Sequence, residues 1–79
     1  MRIYITGKIA GTTKSDLKEI LEEHGHVYDT FTKHTDLLVL GERAGPKKLE
    51  KARSWGIRVL SWEDFVDEYG IEYSSDELS

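Results

Sequence analysis

Thr6, Gly7, Lys8, Gly11, Thr12, Thr13 and Lys14 crowd into one short stretch, YITGKIAGTTKS. Hydroxyls, lysine ammoniums and backbone N–H groups unobstructed by a side chain are the groups that hold a phosphate. A nucleotide-hydrolysing loop would need G-x-x-x-x-G-K-[ST], so that successive N–H groups wrap the phosphates while Lys and the hydroxyl reach the terminal oxygens and the metal. Here the residue five places after Gly7 is Thr12, and Gly11 is followed by Thr12 rather than Lys. The G-x-G-x-x-G dinucleotide pattern is absent too, and 79 residues are too few for a complete nucleotide hydrolase.

The other reactive side chains form no catalytic set. His24 and His26 straddle a predicted helix end, so their imidazoles should diverge, and no H-E-x-x-H spacing or Cys accompanies them or His34. No metal and no cofactor is expected. Glu63, Asp64, Asp67 and Glu68 have the spacing of a wet helix face, with no nucleophile beside them. Nothing supports an enzyme.

The elements that must position these groups follow from the hydrophobic pattern. Arg2–Thr6 reads as a strand. Thr13 with Asp16 forms a capping box at the start of a helix whose apolar face is Leu17, Ile20, Leu21 and His24, and Gly25 ends it. His26–Tyr28 is a short strand, and Leu37–Leu40 a continuous apolar run of the kind buried on both faces. Gly45-Pro46 opens a second helix with Leu49, Ala52 and Trp55 inward, and Gly56 stops it. Ile57–Leu60 is a fourth strand. Ser61 with Asp64 caps a last helix, Trp62–Tyr69, ended by Gly70. Strands alternating with helices imply a parallel α/β sheet covered on both faces.

Composition sets further bounds. One domain of this length buries only about 60% of the surface its unfolded chain exposes. The absence of Cys excludes disulfides and favours a reducing compartment, and no apolar run reaches membrane-spanning length. The chain is therefore expected to be intracellular, in the cytoplasm or at the nucleoid, and away from membranes. Net charge is −4, yet residues 1–48 carry eight Lys/Arg against seven Asp/Glu, and residues 49–79 three against eight. Lys8, Lys14, Lys18, Lys47 and Lys48 flank the two loop-to-helix passages of the first part. That suits a local anion contact better than a long duplex track.

Several segments together resemble a BRCT domain, most nearly the single BRCT domains of NAD-dependent bacterial DNA ligases and of the replication factor C large subunit. They are the Thr-Gly after the first strand, K-x-T-D-x-L-V-x-G at Lys33–Gly41, the AGPKKLEKA run at Ala44–Ala52, and WGIRVLS at Trp55–Ser61. Three features depart from the usual pattern: His26 follows Gly25 where a second Gly is common, Phe65 stands where Trp is frequent, and the chain starts almost on its first strand. The start on Met1 suggests a small free-standing protein.

The resemblance implies four parallel strands in the order 2-1-3-4 with three flanking helices. It places the domain at residues 1–69, with an acidic polar tail at 70–79. It further implies a phosphate site at the switch point of the sheet, where Thr6 and Gly7 give a hydroxyl and an N–H, and Lys14 and Lys48 give charge. Lys14 stands where the clamp-loader type has Arg, keeping charge without bidentate geometry. Lys8 and Lys47 are secondary contacts. Ala52 replaces a Lys used by phosphopeptide-binding tandem BRCT domains. The expected ligand is the 5′-phosphate of a DNA end or nick, read by a monomeric, non-catalytic module beside a ligase, polymerase or clamp loader. The alternative is a protein-interaction or dimerisation module without a phosphate ligand, using the last helix and Trp62.

Overall fold

The computed structural model describes residues 1–71. The elements run β1 (Arg2–Thr6), α1 (Lys14–Glu23), β2 (Val27–Tyr28), β3 (Leu37–Leu40), α2 (Pro46–Trp55), β4 (Arg58–Ser61) and α3 (Trp62–Tyr69). All strand pairings are parallel and the sheet order is β2-β1-β3-β4, as expected. The two inner strands align Ile3 with Leu37 and Thr6 with Leu40.

The sheet separates two apolar layers because side chains alternate along each strand. Ile3, Ile5, Leu37 and Val39 face the layer completed by Leu17 and Leu21 of α1 and by Trp62 and Phe65 of α3. Tyr4, Leu38 and Leu40 face the other, smaller layer, with Ala52, Ile57, Phe31 and Val59. Leu37, Leu38 and Val39 are all fully buried, which explains the unbroken apolar run of β3. Ile71 also belongs to the larger core and is 4% exposed, so the packed body extends past Gly70 to the second residue of the stretch assigned above to the tail. Positions 72–79 lie outside the described residues.

Local signals set most helix ends. The capping box at α1 is complete, with the Asp16 N–H donating to Thr13 Oγ1 (3.2 Å) and the Thr13 N–H to Asp16 Oδ2 (3.0 Å). Gly56 and Gly70 take left-handed conformations at the ends of α2 and α3. At the first of these the Ile57 N–H turns back to the Ala52 carbonyl (2.8 Å), so β4 begins at Arg58, one residue later than the apolar pattern suggests.

The polar connection before β3 is organised by Thr35, which is 6% exposed. Its hydroxyl accepts from the Thr32 N–H at 3.0 Å and donates to the Thr30 carbonyl at 3.4 Å. Asp36 then ties to β1 through both its backbone N–H and its carboxylate, each 2.8 Å from an Arg2 backbone partner. The Thr-Asp pair before β3 is thus a structural clamp.

Candidate functional site

Thr6 and Gly7 sit at the carboxyl end of β1, between strands whose following helices leave to opposite faces. Backbone contacts across this point are tight. The Gly41 N–H donates to the Thr6 carbonyl (2.7 Å), and Lys8 and Glu42 exchange both backbone hydrogen bonds, at 2.9 and 2.7 Å, in an isolated antiparallel bridge. Gly7 has φ +87°, and a Cβ there would lie 2.7 Å from the Glu42 carbonyl oxygen. Gly41 is matched to it: a Cβ would lie 2.7 Å from the Lys8 carbonyl oxygen and 2.8 Å from Ile9 Cδ1. Both glycines are therefore required by the approach of the two loops, independently of any ligand.

The two helix N-termini near these loops differ in their electrostatics. At α1 the Thr13–Asp16 box satisfies the Asp16 and Thr13 N–H groups and puts a carboxylate at the positive end of the helix, while Lys14 is exposed beside it. At α2 the N-cap is Gly45, no side chain caps the first turn, and that turn contains no acid. Pro46, Lys47 and Lys48 fill it instead. A helix N-terminus carries partial positive charge and unpaired N–H groups, so two lysines and no acid leave a concentrated positive end.

Lys47 and Lys48 meet in a groove of about 610 Å³ between β1, the connection after β2, and α2. Its floor is a row of rings: Tyr4 and Phe31 centroids are 5.7 Å apart, Phe31 and Trp55 5.3 Å. Lys48 Nζ lies 5.6 Å from the Tyr4 ring centroid and Lys51 Nζ 6.0 Å from that of Trp55, both within cation–π reach. Thr6, Gly7 and Lys14 do not line this groove, so of the four predicted phosphate contacts only Lys48 enters it. Lys8 faces a second cavity of about 320 Å³, shared with Glu42, Glu63 and Trp62.

Trp62, expected as an interface residue only on the condition of exposure and otherwise as core or rim, is 8% exposed and packs in the larger core, 5.8 Å from Phe65. Trp55, expected as partial core on α2, is 40% exposed. It lies at the last helical position, at the rim of the smaller core. The aromatic row was not legible beforehand, because Tyr4, Phe31 and Trp55 come from separate elements and only the sheet order brings them together.

The histidines diverge as expected: His24 Nδ1 meets the Ile20 carbonyl at 2.9 Å, whereas the His26 ring packs against Tyr69 (5.7 Å) and Phe65 (6.4 Å). Burial pushes the His26 pKa below its ordinary 6.5, with the positive amino terminus and His24 acting in the same direction. Glu63, Asp64, Asp67 and Glu68 lie on the exposed side of α3, where Glu68 pairs with Arg58 at 2.7 Å. Among the described residues, no helix is long and apolar enough to cross a membrane.

The chain is similar to known proteins along most of its length. The family model of the BRCA1 C Terminus (BRCT) domain matches residues 1–69. A DNA ligase of Petrotoga mobilis is 41% identical over 66 residues, covering 82% of this chain and 10% of the ligase. Ligases of Desulforapulum autotrophicum and Oenococcus oeni are each 40% identical over 67 residues, covering 84% of this chain and 10% of the ligase. The chain thus spans about a tenth of the length of these curated relatives.

Proposed function

The chain belongs to the BRCT family, and from that premise we propose that it is a non-catalytic binding module of DNA replication or repair that recognises the 5′-phosphate of a DNA end or nick. The observation that carries this reading is the uncapped start of α2, with Gly45 at the N-cap and Lys47 and Lys48 in an acid-free first turn. A phosphate there would receive backbone N–H groups and two ammoniums in place of a side-chain cap. Thr6 supplies a hydroxyl from the end of β1 and Gly7 an N–H. Lys14 adds charge from the first turn of α1, its own cap being already complete. Lys8 is the weakest of the proposed contacts, since it shares its cavity with two acids.

With net charge −4 the module alone should bind weakly and act through local concentration beside a larger partner such as a ligase, polymerase or clamp loader. The test is fluorescence anisotropy on a recessed duplex, with and without its 5′-phosphate, at two salt concentrations. A preference for the phosphorylated end, lost in Lys48→Glu and reduced in Thr6→Ala, is the expected result. Equal binding of both ends at low salt by the folded protein would overturn the phosphate site. A protein-interaction role would then take its place, and exposed apolar surface for it lies at Trp55, Val27 and Met1.

A further inference from the structure

The floor of the groove on the α2 side has no part in holding a terminal phosphate, yet three aromatic rings line it. Tyr4, Phe31 and Trp55 form a continuous row, and Trp55 at its open end is 40% exposed. Lys47, Lys48 and Lys51 border the row, opposed by the single carboxylate of Glu50. A net positive, ring-floored groove on a chain of net charge −4 is complementary to a polyanion that also presents flat apolar faces. We propose that this groove binds an unpaired strand of nucleic acid, with bases stacked on Trp55 and Phe31 and the backbone phosphates on Lys47, Lys48 and Lys51.

The chemistry selects this partner over two others. In a duplex the base faces are stacked on one another and unavailable, so a double helix could use the lysines but not the rings. An acidic peptide would likewise pair with the ammoniums and leave the rings without a planar partner. Single strands offer both, since every base has a π-face and every link a phosphate. The cation–π contacts matter here as well: Lys48 over Tyr4 and Lys51 over Trp55 are held beside the rings, so charge and stacking surface are presented together. The proposal rests on the nucleic-acid part of the function proposed above and not on its end-phosphate.

The test uses a short oligothymidylate with hydroxyl groups at both ends, followed by anisotropy and by tryptophan emission. Binding should be saturable at low salt, with quenching of Trp55, and log K should fall with log salt at a slope near −2, about 0.7 for each lysine contact. Trp55→Ala should weaken binding by roughly five- to a hundredfold. Lys51→Glu, which leaves the rings in place, should weaken it and make the slope shallower by about 0.7 or more. Circular dichroism checks that both variants are folded. An abasic strand of equal length that binds as tightly, or binding unmoved by Trp55→Ala, would overturn the proposal. So would failure to bind the hydroxyl-ended strand when a phosphorylated duplex end is bound, an outcome that leaves the end-phosphate reading standing.

Discussion

Gly7 illustrates how one residue can satisfy a functional motif for a structural reason. Its place after Thr6 matches the family's Thr-Gly pair, yet the 2.7 Å gap to the Glu42 carbonyl already forbids any side chain there. That need is invisible in the sequence, because Glu42 is far along the chain and only the pairing of β1 with β3 brings it close. The Thr13–Asp16 box and the stops at Gly56 and Gly70, by contrast, are decided within a few residues and could be read directly. His26 was legible only as an isolated histidine; its neighbours Phe65 and Tyr69 come from α3. Since burial lowers its pKa below 6.5, the folded state favours the neutral ring. The unfolded chain then binds the proton more readily, so the contribution to stability is complete above pH 6.5 and is lost as pH falls through the lowered folded value. Urea midpoints should therefore drop on acidification more steeply in the wild type than in His26→Gln. Equal slopes would show that His26 carries none of the pH dependence.

At the scale of elements, the contrast between the two helix starts is the most informative feature. Helix α1 closes its own N-terminus, whereas α2 leaves its N-terminus open at a position where a cap would fit. Gly45 has an ordinary φ of −73°, and a Cβ there meets nothing within 4 Å. Gly45→Asp should supply the missing cap and complement the dipole, raising stability by roughly 0.3–1 kcal/mol. The same carboxylate would repel an incoming phosphate, so discrimination between phosphorylated and hydroxyl duplex ends should fall while the melting temperature rises. A stabler variant with unchanged discrimination would exclude the α2 N-terminus as the phosphate site. The helices and three of the strands were visible as hydrophobic runs, whereas the sheet order came only from the family resemblance. Periodicity puts Trp55 on the inner face of α2, and its position at the end of that helix leaves it at the rim of the smaller core.

For the whole molecule, the boundary of the packed body matters more than any single site. Ile71 follows the left-handed stop at Gly70, donates its N–H to the Val66 carbonyl at 3.0 Å, and fills the larger core at 4% exposure. Ile71→Ala should cost about 2–5 kcal/mol, a large share of the roughly 5–15 kcal/mol typical of a domain. Denaturant titration measures it, and a loss under about 0.5 kcal/mol, the range of ordinary surface substitutions, would place Ile71 outside the cooperative unit. The sheet order bears on assembly of the chain as well as on its final shape. The first strand of the domain is an inner one of the sheet, and Arg2 meets Asp36 across a separation of 34 residues. Within the domain β1 precedes both of its neighbours, the two-residue β2 and the longer β3, and α1 is the longest element able to form before β3 arrives. Nucleation therefore requires closing that long loop, which puts the chain among the slower-folding topologies for its size.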